Sequence, residues 1–116
     1  MMWKTIYEKL KADGLNPYPP GKHKGLCNQS YSVVKESNQI PTFYTNKLGT
    51  KLIDVIVFVP LASYVDIEGY KNSIINSLKT IKSIKKTGNE TPVIIDDAKQ
   101  AYTLSLEYKI MKRLEG

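Results

Sequence analysis

Arginine, cysteine and histidine are almost missing from this chain, and each shortage removes a class of function. Arg113 is the only arginine, although Lys and Arg together number 17 against 11 Asp and Glu, for a net charge of +6. Bidentate reading of guanine edges and phosphates favours the planar guanidinium. A cationic surface built almost wholly from lysine can touch phosphate but does not suit sequence-specific reading of nucleic acid. One cysteine cannot make an intramolecular disulfide, which suits a reducing compartment, so the chain is expected in the cytosol and its sequons at Asn28 and Asn89 are expected to be chance matches. With a single histidine, His23, and a single cysteine, Cys27, the four Cys/His ligands of a structural zinc site are lacking, and a Cys/His catalytic pair would have to use both. No apolar run approaches the ~18 residues that span a bilayer, and the N-terminal MMWKTIYEKL is charged where a signal peptide is apolar. Neither secretion by that route nor membrane insertion is expected.

What is present suits one folded domain over residues 1–116, with 41% hydrophobic and 24% charged residues. Trp3, Ile6, Tyr7 and Leu10 recur at helical spacing, and Gly14-Leu15 fits a left-handed stop with an apolar contact back onto the last turn. The prolines and glycines of Asn16–Gly25 predict an extended segment ending in a turn. Strands are expected over Leu26–Val34, with a turn at Glu36–Asn38, and over Ile40–Tyr44, with a further turn at Asn46–Thr50. KLIDVIVFVP, Lys51 to Pro60, reads as a central strand with apolar residues on both faces, each needing cover. Asp66 is placed to cap a helix lined by Ile67, Tyr70, Ile74, Leu78 and Ile81 and ending near Ser83, after which Lys85–Asn89 reads as a polar connector. A strand starting at Val93, a turn at Asp96–Lys99 and a strictly alternating strand over Tyr102–Ile110 complete the chain. This order predicts an α+β fold: a mainly antiparallel sheet against one long and one short helix.

Three clusters invite chemistry. Pro20-Gly21-Lys22-His23-Lys24-Gly25 lacks the phosphate-loop pattern and precedes a strand instead of opening a helix, so its glycines read as turn residues. Its basic residues Lys22, His23 and Lys24 are candidate contacts with a partner. Asp97-Ala98-Lys99 has the D-x-K form of metal-dependent nucleases, which with Asp54 could hold magnesium and orient water, but a hairpin turn closed by an Asx bond from Asp96 or Asp97 explains it more simply. Lys79, Lys82 and Lys86 read as one helical face toward DNA or a neighbour, and helix-end cations need no further reason than the macrodipole. No catalytic, cofactor-binding or metal-binding residue is assigned.

Along its length the arrangement resembles the small neck proteins of tailed bacteriophages and prophages, specifically the tail-terminator (tail-completion) family. The resemblance is carried by the opening helix MWKTIYEKLKADG, the basic YPPGKHKGLCNQSYSVVKES entering the first strand, the apolar LIDVIVFVP, the helix YVDIEGYKNSIINSLKTI and the close TPVIIDDAKQAYTLSLEYKIMKRL. It implies a non-enzymatic α+β subunit that needs no cofactor and forms a ring, generally a hexamer, on the last ring of the tail tube. Such a ring stops tube polymerisation, meets the head connector or stopper protein, and lets DNA pass through its lumen without sequence-specific contact. The protein would be found in the virion, in the tail or neck, after assembly in the bacterial host cytoplasm. The alternatives are the D-x-K nuclease using Asp54, Asp97 and Lys99, and a general DNA-binding accessory domain.

Overall fold

The N-terminal apolar repeat winds into helix α1, Met2–Ala12, with Ile6 and Leu10 buried. The structure, a computed structural model, describes residues 2–36, 40–42, 45–50 and 52–110. The stop at Gly14 is a Schellman motif. The amide of Leu15 donates to the Leu10 carbonyl at 2.9 Å and that of Gly14 to Lys11 at 3.1 Å, while Gly14 takes φ +73°, which a side chain would oppose. Leu15 then packs in the same core as Leu10.

Among the described residues eight strands follow: β1 (Pro17–Tyr18), β2 (Tyr31–Glu36), β3 (Ile40–Thr42), β4 (Thr45–Thr50), β5 (Leu52–Pro60), β6 (Ile84–Glu90), β7 (Ile94–Asp96) and β8 (Ala101–Ile110). A 3-10 segment, Leu61–Asp66, leads directly into helix α2, Ile67–Leu78. Six strands form one sheet in the order β1-β2-β5-β8-β6, with β7 also paired to β8, and β3 and β4 pair with each other. Among the described residues only β1 runs parallel to its neighbour, so the sheet is mainly antiparallel and the fold is α+β.

Register decides which residues meet the helices. Val57 lies between Ser32 and Leu104, and Val55 between Val34 and Leu106. Side chains alternate along a strand, so this pairing puts Val34, Ile53, Val55, Val57, Val59, Leu104, Leu106 and Tyr108 on one face. There they pack with Ile6 and Leu10 of α1 and with Ile67, Ile74 and Leu78 of α2. The helices are tied on by Trp3, whose indole donates to the Val34 carbonyl at 2.6 Å, by Tyr70, whose hydroxyl donates to the Leu15 carbonyl, and by Ser77, which donates to the Asp13 carboxylate.

The structure corrects the sequence reading at four places. The long helix ends at Leu78 rather than near Ser83: the Thr80 hydroxyl takes the Ser77 carbonyl at 2.9 Å, and Ile84 is buried as the first residue of β6. The polar connector Lys85–Asn89 is therefore a strand, with a register shift between Lys86 and Glu90 where Thr87 and Asn89 both donate to the Glu107 carboxylate, at 2.8 and 2.9 Å. Asp66 already has helical angles (φ −86°, ψ −8°) and makes no capping bond, because the 3-10 segment supplies the preceding turn. The turn expected at Asn46–Thr50 is strand β4, held by pairing to β3, with Ile40 opposite Thr50 and Thr42 opposite Thr45. Of the expected turn at Glu36–Asn38, residues 37 and 38 lie outside the described residues, as do Tyr44, Lys51 and Arg113.

The second face of β5 carries Leu52, Asp54, Ile56 and Phe58, all half-buried rather than covered. On the neighbouring β8 it continues through Ser105, Glu107 and Lys109. The Phe58 end is roofed by the loop before β2.

Candidate functional site

That roof is the Pro- and Gly-rich segment singled out in the sequence. Gly21 and Gly25 adopt φ +76° and +80°, so the chain turns twice around its basic stretch. Lys22 and Lys24 point to solvent, but His23 is turned inward. Its ring stacks on Tyr31 at 3.7 Å between centroids and 5° between planes, and Tyr31 stacks in turn on Phe58 at 4.6 Å and 6°. Tyr18 meets both His23 and Tyr31 edge-on. The three basic candidates are thus split, two exposed and one built into an aromatic column on the sheet.

Lys99 locks this arrangement. Its ammonium donates to the carbonyls of His23 at 2.9 Å and Gly25 at 3.2 Å, and lies 3.2 Å from His23 Nδ1. An ammonium has three donors and no acceptor, so Nδ1 accepts and the ring proton sits on Nε2. The Cys27 amide closes the clasp by donating to the Lys99 carbonyl at 2.8 Å. Partial burial and the adjacent Lys99 charge hold the His23 pKa below its usual value. Cys27 is buried, its thiol donates to the Gln29 carbonyl at 3.3 Å, and burial pushes its pKa up. A thiol so placed is a small hydrophobe rather than a ready thiolate.

The acidic candidates are not brought together. Asp54 lies on β5 opposite Lys35 and Glu107, whereas Asp97 follows β7, whose Asp96 pairs with Ala101 opposite Pro60. Six residues of extended strand separate Asp54 from Pro60, roughly 20 Å. Lys99 is committed to the loop, and its amide donates to Asp96 Oδ1 at 3.2 Å, the turn bond that the simpler reading expects. Among the described residues no group of three or more His, Cys, Asp and Glu side chains is placed to hold a metal ion.

The basic candidates do not share a helical face. Lys79 is the residue after α2, Lys82 lies in the turn, and Lys86 sits in β6 opposite Tyr108. The reversal of the chain nevertheless returns Lys86 to Lys79, and both line one cavity.

A surface that the sequence reading passed over lies at β7. Val93, just before the strand, and Ile94 and Ile95 within it are 37%, 57% and 53% exposed, and among the described residues the strand pairs only with β8. A groove of about 380 Å³ runs beside it between Ile56, Phe58, Pro92, Ile94 and Ser105. The signal available was the apolar run PVII itself, which alternation along the next strand leaves without a buried face.

No model of a known protein family matches the chain, and no curated protein matches it. Among the described residues no helix is long and apolar enough to cross a membrane.

Proposed function

We propose that this chain is a structural subunit of the head–tail junction of a tailed phage, acting as a tail terminator. Copies form a ring, generally a hexamer, that caps the tail tube, stops its polymerisation and joins it to the head connector. DNA passes through the lumen, and the lysine-rich surface tolerates it without reading its sequence. The subunit works in the virion neck as an assembly part, without catalysis or a cofactor.

The observation that carries this reading is strand β7. Monomeric proteins blunt sheet edges with charges, prolines or bulges, because an open apolar edge templates pairing with another chain. Here Ile94 and Ile95 stand exposed on a strand that, among the described residues, pairs only with β8, beside the groove over Ile56 and Phe58. A neighbouring copy that adds to this edge buries both at once, and repetition of one such contact closes a ring. Electron microscopy and light scattering of the purified protein, alone and with tail tubes, test the reading. Rings or capped tubes are expected from the native chain and not from Ile94→Lys. A strict monomer at high concentration that neither binds tube ends nor limits tube length refutes it.

A further inference from the structure

A ring built from one repeated contact needs two different surfaces that fit each other, because an edge that pairs with its own copy closes a dimer and stops there. Strand β7 supplies one such surface. Its Ile94 and Ile95 point to opposite faces of the sheet, the first toward the groove over Phe58 and the second beside Tyr102, which meets Tyr64 edge-on. Asp96 ends the strand, and the exposed Asp97 follows it.

The second surface can be sought among the other strands that, among the described residues, have an unpaired edge: β1, β6 and the hairpin β3–β4. The edge at β1 is flanked by Pro17, Pro19 and Pro20, and that at β6 carries Lys85, Lys86 and a register shift, all devices that blunt an edge. The hairpin is different. Among the described residues its strands pair only with each other, and a two-stranded sheet standing alone is marginal in water, so a third strand stabilises it. Pro41 in β3 cannot donate, whereas the six residues of β4 include no proline. Lys47 lies in β4 and neither strand of the hairpin contains an acid, so this arm brings positive charge to the Asp96–Asp97 end of β7.

Position decides which copy is met. The hairpin leaves the sheet at the Leu52 end of β5, whereas β7 lies across β8 from Phe58 to Pro60. Eight residues of strand, roughly 25 Å, separate the two ends. Within one copy β4 and β7 do not pair. We propose that β4 of one copy adds as a strand to β7 of the next, so that each copy gives an arm and receives one. This contact rests on the assembly read above and gives it a direction, head to tail.

Two full-length variants test it, Ile94→Lys with its arm intact and Leu48→Pro with β7 intact. Rings are expected from the native chain by electron microscopy and from neither variant alone. Unlabelled Ile94→Lys titrated into isotope-labelled Leu48→Pro is expected to give saturable amide NMR shifts at Ile95 and Asp96. Leu48→Pro rings like those of the native chain, or no shift at β7 while the native chain forms rings, overturns the arm contact and leaves the head–tail reading standing. A native chain that forms no ring with or without tail tubes overturns both. Should Leu48→Pro fail to fold, Lys47→Glu decides: half-assembly at about tenfold higher concentration supports the contact, and an unchanged concentration overturns it.

Discussion

Acidification should loosen the loop over the Tyr31–Phe58 end of the sheet, and His23 is the group responsible. In the closed loop Nδ1 accepts from an ammonium 3.2 Å away, so a proton there both removes an acceptor and sets two cations side by side. At that separation two unit charges repel by about 1.3 kcal/mol in water and about 5 kcal/mol at an effective dielectric near 20. His23 is half-buried and reached by solvent, so screening keeps the effect near the lower figure, about 1 kcal/mol. The other groups facing the ring from neighbouring elements are Tyr18 and Tyr31, and Lys22 and Lys24 flank it in sequence. None of these offers a carboxylate to stabilise an imidazolium.

The sign follows from linkage. The folded pKa lies below the open-loop value near 6.5, so the open loop binds the proton more readily. This contribution to the clasp is fully present above pH 6.5 and is lost as pH falls through the folded pKa. His23 is the only histidine, so its ring resonances report the titration without ambiguity. The amide of Cys27, which donates to Lys99, reports the opening through hydrogen exchange. As pH falls from 7.5 its protection, corrected for intrinsic rate, should fall toward a limit of about fivefold, the equivalent of about 1 kcal/mol, approached once pH is well below the folded pKa. Lys99→Met should raise the His23 pKa toward its ordinary value and flatten this dependence. A His23 that titrates above 6.5, or a Lys99→Met protein with the same His23 pKa as the native chain, refutes the argument.

Other perturbations follow from local geometry. Gly14→Ala forces a side chain into φ +73° and should cost about 1 kcal/mol in urea unfolding. Ser77→Ala removes the hydroxyl that, with Lys9, holds the Asp13 carboxyl below its ordinary value near 3.8. That contribution is present above pH 3.8 and lost as pH falls through the folded value, so thermal melts from pH 2 to 5 should show a shallower acid limb in the variant. Leu106→Ala empties a fully buried site between sheet and helices and should cost about 2–5 kcal/mol, and a value under 1 would mean that the core closes over the gap.

The parts of the fold legible in the sequence are those where one physical rule acts alone. The Schellman stop after α1 needs only Gly14 and a following apolar residue, and both bonds form as the spacing implies. The two faces of β5 follow from strict alternation, and the Asx bond at Asp96 from its place in a turn. Less legible was the clasp around His23. Stacking of His23 on Tyr31 and capture of its carbonyl by Lys99 join residues 8 and 76 positions apart, and only the sheet register brings them together. The exposure of β7 escaped notice for a related reason, since PVII looks like core until β8 is known as its one partner strand among the described residues.

Lys79, Lys82 and Lys86 show how a local rule fails where the chain reverses. A period of 3.6 residues carried from Ile67 through Ile81 joins these lysines on one helical face. The period fails at Leu78, because Thr80 spends its hydroxyl on the helix carbonyl behind it and Ile84 gains more by burial in the sheet, opposite Ile110, than by another helical turn. A chain that leaves a helix and returns antiparallel beneath it brings residues a few positions on either side of the turn back into register. Lys79 and Lys86 therefore line one cavity while Lys82 stays in the turn between them. The cluster is a consequence of the chain's reversal after Leu78, not of a continuing helix.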